Sequence, residues 1–164
     1  MAEGLRDGLV VVEDRGWPLL LLRIPAALSV EAVRSFIDAI EGAYRRNERF
    51  AVVIDTTAVS KFPAALARQI LSDWVRDPRR AEREHALTVG TALVIASSPL
   101  RALTAAVNLV RRKATPQQWT ATLVEAVEWA RKMLVAENVR LTPGAEALYA
   151  EVTAPRALRA RRGA

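Results

Sequence analysis

Two short apolar runs of β type open the chain, Leu9 to Val12 and Trp17 to Ile24, separated by the polar stretch Glu13-Asp14-Arg15-Gly16. That connection is of hairpin length, and its glycine is able to take φ > 0. Pro25 closes the second run, Ser29 is a candidate N-cap and Glu31 falls in the first turn; Val30, Val33, Ile37, Ile40 and Tyr44 then recur every three to four residues. The spacing predicts an amphipathic helix ending near Asn47. Phe50 to Asp55 is apolar with little interruption, as expected of a central strand covered on both faces. A second helix is predicted from Pro63, with Leu66, Ile70 and Trp74 on one face.

Asp77-Pro78 interrupts that helix, and Arg79 to Glu84 predicts a short further one whose mixed charges form a solvated face. Val89 to Ala96 is a second buried-type strand. After it, Ser98 as N-cap and Pro99 at the first helical position open a helix to about Arg112. Gln117 to Thr120 fits a short edge strand. Thr122 with Glu125 makes a capping-box pattern for a helix in which Leu123, Val127, Ala130 and Leu134 repeat at the helical period. Pro143 to Val152 adds an amphipathic turn or two. The order β-β-α-β-α-β-α-β-α specifies an α/β fold with a mixed, mainly parallel sheet and covering helices. We read residues 1–137 as the α/β domain, 138–155 as a C-terminal amphipathic extension and 156–164 as a basic tail expected to be disordered.

Composition narrows the function. At 164 residues and 51% hydrophobic the chain is long enough for a substantial core. Cysteine is absent, which excludes disulfides, thiolate metal sites and a cysteine nucleophile. The amino terminus meets charge before any apolar run, and no stretch approaches ~18 uninterrupted apolar residues. A cytoplasmic location is expected. The net charge of +6 suggests nucleic acid until it is located: Arg156, Arg159, Arg161 and Arg162 lie in the last nine residues without an acid among them. The rest of the chain is nearly balanced, whereas a nucleic-acid-binding domain carries its basic face on the fold. Sequence-specific nucleic-acid binding is therefore not expected, and weak binding to anionic surfaces is assigned to the arginine tail.

Candidate chemistry is sparse. The only histidine, His85, sits in a charged segment, Asp55 is the best-placed carboxylate, and Ser60-Lys61 are adjacent in sequence without implying mutual geometry. No spacing suggests a metal site, and no cofactor is expected. The chain reads as a non-enzyme. Two helix starts, near Pro63 and Pro99, should open at the carboxyl ends of the two central strands, where open α/β sheets place ligands. Their free N–H groups favour anions. Thr56, Thr57, Ser60 and Lys61 would surround one start, and Ser97, Ser98 and Arg101 the other. The same residues serve ordinary capping, so a small-anion or metabolite sensor and a plain loop are both open readings. The helix from Pro99 is apolar on nearly every side, with Leu103, Val107, Leu109 and Val110 pointing in several directions. Its cover is either the C-terminal segment around Leu141, Leu148 and Tyr149, a second subunit in a homodimer, or a membrane surface.

The stretch from Phe50 to Trp74, FAVVIDTTAVSKFPAALARQILSDW, together with the order of elements over about residues 8–137, resembles the STAS domain, the fold of anti-sigma-factor antagonists and of the cytoplasmic domains of sulfate transporters. In the antagonists the central strand is followed by a loop ending in Asp-Ser-Ser-Gly, where a serine is phosphorylated at the helix start. Here Pro63, Ala64, Ala65 and Leu66 fill the four positions and none carries a hydroxyl. The resemblance implies a protein–protein interaction module of the bacterial cytoplasm, without the serine switch, that meets an unidentified protein partner through the loop after Asp55.

Overall fold

The computed structural model describes residues 8–61, 63–95 and 115–155. Within them a five-stranded sheet runs in the order β1-β2-β3-β4-β5. The strands are β1 (Val11–Glu13), β2 (Leu19–Arg23), β3 (Phe50–Asp55), β4 (Thr88–Val94) and β5 (Gln117–Thr120). β1 is antiparallel to β2, and β2 through β5 are parallel. The sheet is thus mixed and mainly parallel, with β5 at one edge. The described helices are α1 (Val30–Arg45), α2 (Ala65–Arg76), α3 (Pro78–Leu87), α4 (Leu123–Ala136) and α5 (Pro143–Thr153). None is long and apolar enough to cross a membrane. The expected helix 99–112, with Ser97, Ser98, Arg101, Leu103, Val107, Leu109 and Val110, and the arginine tail lie outside the described residues.

The helix ends follow from local chemistry. Ser29 Oγ accepts from the Ala32 amide at the start of α1, and the Glu31 carboxyl in that first turn is held below its usual range by hydrogen bonding to its own amide and to Ser29. Asn47, just past α1, and Asn138, just past α4, both take positive φ, the left-handed conformation in which helices commonly stop. Thr122 and Glu125 form the reciprocal capping box. Asp77 caps the end of α2 and the start of α3 in one residue, its carboxylate accepting from the Arg79 amide at 2.9 Å.

Alternation along the strands divides the core in two. Leu19 and Leu21 of β2 and Ala51 and Val53 of β3 face α4 and α5, whereas Leu20, Leu22, Phe50 and Val52 face the layer of α1, α2 and α3. A register shift in β4 between its pairings with Phe50 and Ala51 turns Gly90, Ala92 and Val94 to the α4 side. There the packing is close. A Cβ on Gly90 would stand 2.7 Å from the ring of Trp129, so glycine is what lets α4 approach. Ala145, Leu148 and Val152 of α5 belong to the same cluster, and Thr142 Oγ donates to the Trp17 carbonyl, tying α5 to the first hairpin.

Three expectations change. Gly16 takes no positive φ; it is needed because a Cβ there would run into Leu148 and the Leu19 carbonyl. α2 starts at Ala65 rather than Pro63, and its inward face is Ala67, Leu71, Trp74 and Val75, while Leu66 is 61% exposed. The charged segment before β4 is not a simple solvated face: Arg80 and Glu84 are buried and paired at 2.9 Å, one helical turn apart. Two opposite charges in contact can leave water together, which mixed charge in a sequence does not by itself reveal.

Candidate functional site

The carboxyl ends of β3 and β4 lie side by side, with Asp55 in register with Val94. From there the chain enters the loop that connects β3 to α2, and each polar side chain in its first half is committed to a local bond. Asp55, 6% exposed, accepts through Oδ1 from the Thr57 amide at 3.0 Å and from Thr57 Oγ1 at 2.7 Å, and through Oδ2 from Arg23 at 3.3 Å. The aspartate is a loop staple of the Asx type. Thr56 bonds β4, its amide and its hydroxyl both reaching the Val94 carbonyl. Val59 N closes a turn onto the Thr56 carbonyl at 3.0 Å.

The second half of the loop is tied to the segment between β2 and α1. The amides of Ser60 and Lys61 donate to the Ala26 carbonyl at 3.0 and 3.3 Å, Ser60 Oγ reaches the same oxygen at 3.4 Å, and Ala27 bridges Lys61 as in a parallel ladder. The loop is therefore fastened at both ends before Pro63 leads into α2. Its outer surface is made by the exposed residues Thr57, Ala58, Ser60, Lys61, Ala64, Ala65 and Leu66.

Asp55, Thr56, Thr57, Ser60 and Lys61 thus form one contiguous feature, whereas Ser97, Ser98 and Arg101, expected opposite them, lie outside the described residues. The hydroxyls of Thr56, Thr57 and Ser60 are engaged with the protein itself. An anion at the start of α2 would have to draw them away or rely on backbone amides, since the N-cap Ala64 brings no side-chain oxygen. His85 is exposed on α3. Among the described residues no group of three His, Asp or Glu side chains stands close enough to hold a metal ion.

Two features escaped the sequence reading. One is exposed Leu66, whose spacing from Ile70 and Trp74 made it look like core; the neighbouring register 67, 71, 74 and 75 fits a helix equally well, and Ala67 gives it little apolar weight. The other is a polar cluster beneath α3, where Thr115 Oγ1 donates to Glu84 at 3.3 Å beside the Arg80 pair and the guanidinium of Arg80 stacks 4.4 Å from the ring centre of Trp74. Its trace in the sequence is the opposite charge of Arg80 and Glu84 at a spacing of four, the spacing of an ion pair along one helix face. Comparison of the chain with protein-family models, with curated proteins and with solved structures gave no match.

Proposed function

We propose that the protein is a non-enzymatic regulatory module, similar to STAS domains, that binds a protein partner in the bacterial cytoplasm through the loop after β3 and the start of α2. The observation that carries this reading is the pre-organised loop with an exposed leucine beside it. Asp55, Ala26 and Val94 fix the backbone of residues 56–61 in place, so little conformational entropy remains to be lost when a partner docks. Leu66 then offers an apolar anchor at the rim of that rigid surface. At 61% exposed, most of the Leu66 side chain is left open to a partner.

The serine switch of the antagonists has no counterpart in this reading. Pro63, Ala64, Ala65 and Leu66 accept no phosphate; Ser60, the nearest hydroxyl on the loop, reaches the Ala26 carbonyl at 3.4 Å, and Thr57 is held by Asp55 at 2.7 Å. Regulation then rests on the amount of protein or of partner.

Affinity capture tests the reading. Full-length wild type, Leu66→Glu and Val135→Glu are compared by quantitative mass spectrometry of retained proteins, Val135 being an equally apolar residue, 53% exposed, on α4. A partner retained by wild type and by Val135→Glu but lost with Leu66→Glu supports the surface. Retention that is indifferent to Leu66→Glu refutes it.

A further inference from the structure

Inward of Trp74 the helical layer stands off the sheet. α2 packs on α1 and α3, whereas α4 makes the close backbone approach to β3 and β4 on the other face. The space left between α2 and the strands is a cavity of 210 Å³. Val52, Ile54 and Leu93 form its floor, and Phe36, Leu71 and Trp74 its helical wall. Protein interiors are close-packed, with few voids larger than a water molecule. An engineered apolar cavity of about 150 Å³ stays dry and takes up benzene. The space here holds an aromatic ring with a short substituent, or a chain of roughly eight carbons, on the same scale.

One wall is polar. Thr88 and Thr91 line the cavity and are only 6% and 7% exposed, yet no hydrogen bond joins either hydroxyl to another described residue. Gln117, in register with Thr91, and the Arg80–Glu84 pair complete that side. An ionised head group entering here would lose its hydration among side chains that are mostly apolar. A neutral hydroxyl, carbonyl or ring N–H meets the threonine hydroxyls at no such penalty.

We propose that this cavity is a binding site for a small neutral molecule with an apolar body and one hydrogen-bonding group, of the class of a medium-chain alcohol or an indole. The site is lined by the sheet and by residues of α1, α2 and α3, and Leu66 is not among its lining residues. Titration calorimetry on the full-length protein tests it, with 1-octanol and indole as probes, octanoate as the ionised comparator and toluene as the purely apolar one. Saturable binding at one site per chain is expected, with 1-octanol at least ~10-fold tighter than octanoate because the carboxylate must be desolvated. Leu93→Phe and Leu71→Trp, which fill the space, should each weaken 1-octanol at least ~10-fold. Thr91→Val should weaken 1-octanol about 3- to 10-fold, the worth of one hydrogen bond, and leave toluene unchanged. Methyl NMR on the wild type reads the site without any variant: 1-octanol should shift the methyls of Val52, Thr91 and Leu93 and leave Val135 in place. Absence of saturable binding, octanoate binding as tightly as 1-octanol, or shifts that spare the cavity methyls would each overturn the proposal.

Discussion

Asp55 accepts two hydrogen bonds from a single residue, Thr57, one from its amide and one from its hydroxyl, at 3.0 and 2.7 Å. A carboxylate at the end of a central strand is in this protein a clamp on the loop that follows. The same carboxylate also pairs with Arg23 on β2, so it links the carboxyl ends of two neighbouring strands. Asp55 thus holds the first half of the loop, as the Ala26 carbonyl holds the second.

Replacing Asp55 by Ala should cost about 2 kcal/mol. Two bonds from Thr57 to a charged acceptor are lost, each worth ~1–2 kcal/mol at most because exposed Thr57 can turn to water instead, while the Arg23 pair adds little because its guanidinium is 41% exposed. Asp55→Asn keeps an acceptor for Thr57 and should cost less than half as much. Urea midpoints measure both, and hydrogen exchange of the amides of 56–61 should accelerate in Asp55→Ala well before global unfolding. Equal midpoints for the wild type and Asp55→Ala would show that the clamp is not structural.

The Arg80–Glu84 pair predicts an asymmetry. Glu84→Ala leaves a buried guanidinium with its carboxylate removed and should destabilise by about 3–5 kcal/mol, whereas replacing both residues with apolar side chains of similar volume should come close to neutral. Denaturation of the single and double variants decides the matter. A single variant no worse than the double would mean that the pair is solvated after all.

Gly90 predicts a steric effect on the other face of the sheet. An alanine Cβ would lie 2.7 and 2.9 Å from two carbons of the Trp129 ring, and the indole has to move as a rigid body between Met133 and the strand. A loss of about 1–3 kcal/mol is expected, the usual range for overpacking a filled core. Trp129→Leu should relieve most of it. A Gly90→Ala protein as stable as wild type would show that α4 sits more loosely on β4 than the structure has it.

The C-terminal helix should be part of the fold and not an accessory. Ala145, Leu148 and Val152 are buried in one cluster with residues of β2, β3, β4 and α4, so ending the chain at Glu137 exposes a contiguous apolar face. Light scattering should detect association of the truncated protein, and Leu148→Ala in the full chain should cost ~2–5 kcal/mol. A truncated chain that stays monomeric and keeps the wild-type midpoint would contradict this placement.

Much of the architecture is legible along the chain because local and global signals agree. Ser29, Thr122 with Glu125, and Asp77-Pro78 mark helix ends by backbone chemistry that does not depend on the tertiary context. The unbroken apolar run of β3 announces burial on both faces. Legibility fails where two faces of one helix are nearly equivalent, as with Leu66 against Ala67, and where charge is neutralised by contact, as with Arg80 and Glu84. The hairpin-length connection suggests backbone freedom at Gly16, while its role is to make room for Leu148 from 132 residues further along the chain, a contact that no local pattern encodes. The cavity was invisible for the same reason: it depends on how far α2 stands from the sheet, not on which residues are apolar. Of the site, Asp55 was recognised by its position at a strand end, but its role as a staple needs the coordinates of Thr57 and Arg23.

The central claim, a partner surface at the loop after β3 and the start of α2, is tested most directly by placing a photo-crosslinking amino acid at position 66 of the full-length protein in living cells, with position 135 as the control. The account predicts a discrete adduct at 66 that excess wild-type protein suppresses, and none of that mass at 135. No adduct at 66, or the same adduct at both positions, would contradict it.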